Sequence, residues 1–237
     1  MVFVPLEVDD SDSRRVPTVS LSLVCANIAV FVLFQGLGGV GFTASLWLDP
    51  KEIASGVDNV PITPVPLWMT LVTYMFLHGD LWHLIGNMLF LWIFGPVLEN
   101  VMGHRKYLAF YLFAGITAGL CYVWVSLGHP MLGASGAVAG VLGGLMALQP
   151  SRKVTGLLFG VFPVVIPCFL AIGVYEIISD IVPFLLGSRP GVAISAHLGG
   201  FAFGFLAARF FQTPVGPRKK DLRRSVDQAL MSGEQVS

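Results

Sequence analysis

An all-α membrane protein, a bundle of six transmembrane helices, is the fold class this sequence predicts, and three observations predict it. The composition is 55% hydrophobic and only 12% charged, with a mean hydropathy of +0.77, against roughly 45–50% apolar usage in soluble domains. Apolar runs recur at lengths near the ~20 residues that cross a ~30 Å hydrocarbon core. Basic residues gather on alternate connections, the asymmetry that orients membrane proteins.

Residues 1–17 read as an N-terminal cytoplasmic segment. They are acidic as well as basic, and no Ala-x-Ala site follows the first apolar run, so that run reads as a retained span and not as a signal peptide. The span cores are 19–37, 82–101, 107–127, 134–148, 166–186 and 193–211, which gives a membrane domain over 18–211. In the long connection over 38–80, Pro61, Pro64 and Pro66 rule out a regular helix. The apolar patch 67–77 inside it is too short to span and reads as an interfacial or re-entrant element. Residues 212–237 form a polar, basic tail that is solvated or touches lipid headgroups. Cys25, Cys121 and Cys168 all fall inside proposed spans, where they pack as small hydrophobes.

With the N-terminus in the cytoplasm, Arg14, Arg15, Arg105, Lys106, Arg152, Lys153, Arg209, Arg218, Lys219, Lys220, Arg223 and Arg224 fall inside, and only Lys51 and Arg189 fall outside. Both termini are then cytoplasmic, and the expected membrane is a prokaryotic inner membrane. The lipid bilayer is thus one partner. Nucleic acid is not, because the net charge is zero and no basic face beyond the tail could track phosphates.

Polar residues inside spans are costly, so each is a functional candidate: His83, Asn87, Ser135, Glu176, Asp180 and His197. The second, fourth and sixth spans run inward from outside, and His83, Ser135 and His197 lie near their starting ends, at similar depth. At 1.5 Å rise per residue Asn87 sits about 6 Å deeper than His83 on the same helix face.

Ser135 stands in the run GASGAVAGVLGG and His197 in SAHLGGFAFG, where glycines allow close helix approach. Packing in the small-xxx-small manner explains either run taken alone. A lone histidine equally fits a structural hydrogen bond, a proton relay or a metal ligand. The pair points further, because a serine hydroxyl needs a base to become nucleophilic and a neutral imidazole supplies one. In HGDLWHLIGNMLFLW, Asp80 reads as an N-cap and Trp82 as an interfacial anchor, while His83 and Asn87 are placed to donate to a developing oxyanion. Glu176 and Asp180 lie one turn apart; an acid there could orient His197, although wetting by the cavity or structural hydrogen bonding accounts for them more simply.

Three motifs in this order, His83-x-x-x-Asn87, Gly133-x-Ser135-Gly136 and Ala196-His197-x-x-Gly200, make the chain resemble the rhomboid intramembrane proteases over roughly residues 68–211. The resemblance implies a six-helix core and a cavity open to the outside, holding a Ser–His dyad with no third acid. It implies Ser135 as nucleophile, His197 as general base, and the Ser135 amide with His83 and Asn87 as oxyanion hole. It implies a serine endopeptidase acting on transmembrane protein substrates that carry helix-destabilising residues near the cut, with no metal or organic cofactor. Two departures stand out: Trp68-Met69-Thr70 lacks the Trp-Arg pair of many members' external loops, and Ala139 occupies the position where some members place a tyrosine against the catalytic histidine. The competing classes are a catalytically inactive relative that binds membrane proteins and a transporter. His78, Asp80 and His83 are the remaining metal-ligand reading, and no His-Glu-x-x-His run is present.

Overall fold

The computed structural model describes residues 3–9, 15–58, 64–125, 128–187 and 192–213; Arg14, Pro61, Arg189 and the tail from residue 214 lie outside the described residues. Four helical stretches are long and apolar enough to cross a membrane: Thr18–Gly39, Leu81–Met102, His104–Val125 and Ile194–Phe211. The first is built from α1 (Thr18–Ala29), a π-helical turn over Val30–Gln35 and the start of α2 (Gly36–Ala44). A short α3 (Pro50–Ser55) follows, with Asp49 as its N-cap. The patch expected to be re-entrant is helical over Leu67–Phe76, with α4 (Thr70–Thr73) at its centre, and it buries Tyr74 and Met75 in the core.

The next two long helices are α5 (Leu81–Met102) and α6 (His104–Val125), separated by Gly103 at positive φ. They are followed by α7 (Ser135–Leu148), which has 14 residues. The fifth apolar segment is broken into α8 (Cys168–Glu176), a π-helical turn over Ile177–Ile181 and α9 (Val182–Leu185). Last comes α10 (Val192–Phe211).

A three-stranded antiparallel sheet departs from the all-helical expectation: β1 (Phe3–Val8), β2 (Lys153–Leu158) and β3 (Phe162–Pro167), in the order β1-β2-β3. The apolar run counted from residue 166 as the fifth span begins in β3, and its helix starts only after Pro167. The reason is local: Val164, Val165 and Ile166 are β-branched and lie between Pro163 and Pro167, a composition that suits an edge strand.

The sheet and several polar contacts mark one end of the bundle. Asp9 N–H donates to the Lys153 carbonyl at 2.9 Å, and Lys106 Nζ donates to the Gln212 carbonyl at 3.1 Å. At the same end Glu99, 0% exposed, accepts from Val19 N–H, Ser20 N–H and Ser20 Oγ–H at 2.9, 2.8 and 2.7 Å, and pairs with His104 Nδ1 at 2.6 Å. Helix α1 has no cap from its own flank, so α5 supplies one: Glu99 satisfies orphan donors at the positive end of its dipole. At the opposite end Leu48 and Met131 exchange backbone hydrogen bonds, and Lys51 lies nearby on α3.

Helices α7 and α10 form the most extensive helix pair, and α6 packs against both. Lipid is as apolar as leucine, so this association depends on close fit and not on escape from water. A Cβ at Gly200 would collide with the Gly136 carbonyl, and one at Gly204 with the Gly140 carbonyl. Gly200→Val is therefore expected to force the two backbones apart. The cost should be about 1–3 kcal/mol of stability and, through a displacement near 1 Å at the cavity above, on the order of 10² in rate. Thermal melting and turnover of the purified variant check this; wild-type values in both would refute the contact.

Candidate active site

Ser135 opens α7, and three constraints fix where that helix begins. Gly133 has φ +128°, a conformation that disfavours any side chain, and a Cβ there would sit 2.7 Å from His83 Cε1. Gly133 N–H donates to the Tyr74 carbonyl at 2.9 Å, while the Tyr74 hydroxyl donates to the Gly115 carbonyl of α6 at 2.7 Å. Met131, two residues earlier, is held by Leu48. Ser135 is the first residue of α7, so its amide belongs to the set of donors for which an α-helix has no internal acceptor, at the positive end of the dipole.

Helix α5 contributes the second group. Asp80 is the N-cap anticipated from the sequence, its Oδ1 accepting from His83 N–H at 2.8 Å, and Trp82 beside it is 80% exposed, as an interfacial anchor would be. Asn87 is buried and gives one Nδ2 hydrogen to the His83 carbonyl at 3.1 Å. A carboxamide has two such hydrogens, which leaves the second for another acceptor.

His197 comes from the second turn of α10, aligned by the glycine contacts with α7. Its Nδ1 lies 2.9 and 3.1 Å from the two carboxylate oxygens of Asp180, which sits on the π-helical turn after α8. A cavity of about 330 Å³ is lined by Ser135, His197, His83, Asn87, Glu176 and Asp180, so every candidate named from the sequence faces one chamber. Ala139 also lines it.

The sequence left an acid at 176 or 180 able to orient His197 but favoured wetting by the cavity or structural hydrogen bonding; the structure puts Asp180 on the imidazole. The sequence reading did not single out Tyr74, whose carbonyl holds the turn before Ser135, nor Glu99, although an ionisable residue inside an apolar run was a signal available to it. His78, named from the sequence only as a metal-ligand candidate, precedes α5, is 1% exposed and meets the His83 ring edge-on at 5.2 Å between centroids. Burial first, and the neighbouring His83 second, push His78 down to about 4, so it is neutral at physiological pH. Its backbone is pinned from the first span by Gln35, which donates to the His78 carbonyl and accepts from its N–H, both at 2.9 Å. Among the described residues no group of three or more His, Cys, Asp or Glu side chains is arranged to hold a metal ion, His78, Asp80 and His83 included.

The Rhomboid domain family matches residues 66–213 of the chain. Rhomboid protease GluP of Bacillus subtilis is 30% identical over 200 residues, covering 84% of this chain and 36% of that protein. Rhomboid protein 1, mitochondrial, of Saccharomyces cerevisiae is 30% identical over 212 residues, covering 84% and 55%. Presenilin-associated rhomboid-like protein, mitochondrial, of Rattus norvegicus is 32% identical over 202 residues, covering 82% and 48%. The chain thus spans between about a third and just over half of the length of these relatives. With the family match covering more than half of its residues, and with its several membrane-crossing helices, this multi-pass membrane protein belongs to the rhomboid family.

Proposed function

We propose that the chain is an intramembrane serine endopeptidase that cuts transmembrane proteins at or near the outer membrane face. The observation that carries this reading is the single cavity shared by Ser135 from α7, His197 from α10, and His83 and Asn87 from α5. In the reaction His197 Nε2 takes the Ser135 proton as Oγ bonds to the substrate carbonyl carbon. The resulting oxyanion is met by the Ser135 amide, His83 and the second Nδ2 hydrogen of Asn87. Collapse breaks the C–N bond and His197 returns the proton to the leaving amine; water, activated by the same ring, then releases the acyl group. A peptide bond inside a regular helix is shielded from attack, so the preferred substrates are single spans with helix-destabilising residues near the cut. The direct test incubates the detergent-solubilised protein with an unrelated single-span substrate: two fragments are expected, whereas solute movement in proteoliposomes without cleavage would favour a transporter.

The proposed topology has six passes, with α7 and the α8 to α9 segment completing the four long helices, and both termini on the cytoplasmic side of a prokaryotic inner membrane. It is supported by the gathering of Asp9, Lys106, Lys153 and Gln212 at the end of the bundle opposite Lys51 and the Ser135 turn. Single cysteines at positions 51 and 152, in a background without the native cysteines, should label from opposite sides of sealed vesicles. Labelling from the same side would contradict six passes.

A further inference from the structure

Asp180 is 2% exposed, and the ion pair the structure gives it is with His197, whose side chain is 20% exposed toward the cavity. A carboxylate buried this deeply is costly unless it is paired. Ionised, it is an acceptor only, so a hydrogen must reside on His197 Nδ1 for either contact, at 2.9 or 3.1 Å, to be a hydrogen bond. A neutral imidazole carries one hydrogen; with that hydrogen on Nδ1, Nε2 is left with a bare lone pair. Glu176, four residues before Asp180, lines the same cavity, and its Oε2 is buried without a hydrogen-bond partner among the described residues. Helix α7 offers the ring no alternative hold, because the cavity residue one turn beyond Ser135 is Ala139.

We infer that Asp180 is a positioning residue for the reaction: it accepts from His197 Nδ1, fixes the ring in the tautomer whose Nε2 is the base for Ser135, and steadies the imidazolium that forms. The active site is then a Ser135–His197–Asp180 arrangement in which Asp180 stays ionised throughout, the serine proton travelling only to Nε2 and on to the leaving amine. The inference rests on the protease reading above. The other titratable groups that line the cavity with the ring, among the described residues, are Tyr175 and Glu176 on α8 and His83 on α5, with the Ser135 hydroxyl on α7; Cys121 and Tyr122 of α6 approach α10 beside it, at Gly199 and Ala196.

The test measures kcat, KM and the pH–rate profile of wild type, Asp180→Asn and Asp180→Glu with a single-span substrate. Asn presents either an acceptor or a donor to Nδ1 and no charge, so kcat should fall by roughly 10²–10⁴ with KM little changed. The acid limb of the profile should move to lower pH, because the charge that favours the imidazolium is gone, and Asp180→Glu should recover part of the loss. A merely structural aspartate would not move that limb. A second readout is independent of turnover: ring nitrogen NMR of His197 in the Ser135→Ala protein should show hydrogen on Nδ1 at neutral pH. Wild-type kcat and profile in Asp180→Asn, or hydrogen on Nε2 in the NMR experiment, would overturn the inference and leave the Ser135–His197 pair standing. Undiminished cleavage by Ser135→Ala would instead overturn the protease reading beneath it.

Discussion

Ser135→Ala is expected to stop cleavage altogether while the bundle stays folded. The substitution removes the atom that forms the acyl bond, and comparable deletions in serine proteases cost roughly 10⁶ in kcat. Little else should change, because the contacts that set the start of α7 lie elsewhere: Gly133 on the Tyr74 carbonyl, Met131 on Leu48, and Gly136 against Gly200. The melting temperature should therefore stay close to wild type. Fragment yield on a gel, read beside thermal melting, separates a dead enzyme from an unfolded one.

Asn87→Ala should be slow and not dead. The side chain is held by its own helix through the His83 carbonyl, at 3.1 Å, and this leaves one amide hydrogen for the cavity. That hydrogen gains most as charge builds on the carbonyl oxygen, so its loss should appear in kcat, by roughly 10²–10³, with KM nearly constant. The Ser135 amide and His83 remain to carry the residual rate. A rise in KM with kcat intact would mean that Asn87 binds the ground state and is not an oxyanion donor.

Much of this architecture is legible locally. The cores read at 82–101 and 193–211 lie within a residue of α5 and α10, because charge and glycine bound their apolar runs sharply. Helix α6 begins three residues earlier than the core read at 107–127, since His104, Arg105 and Lys106 extend the helix into the polar end. What was not legible is non-local or non-periodic. The sheet depends on β1 meeting β2 from the far end of the chain, in a register no local pattern records. The π-helical turns over Val30–Gln35 and Ile177–Ile181 leave no mark in a 3.6-residue periodicity. The second of them carries Asp180 to His197, a contact between two separate spans that their spacing along the chain does not reveal. The motif residues converge as the three starting ends suggested: Ser135, His197, His83 and Asn87 all line the cavity.

The central claim is that Ser135 is the nucleophile, and covalent trapping tests it most directly. Detergent-solubilised protein is treated with a fluorophosphonate, digested, and the modified residue is located by mass spectrometry. The account predicts one phosphonyl adduct, on the peptide containing Ser135, formed in step with loss of cleavage and absent from Ser135→Ala. An adduct on a different residue, or a Ser135→Ala protein that still cuts at the wild-type rate, would contradict it.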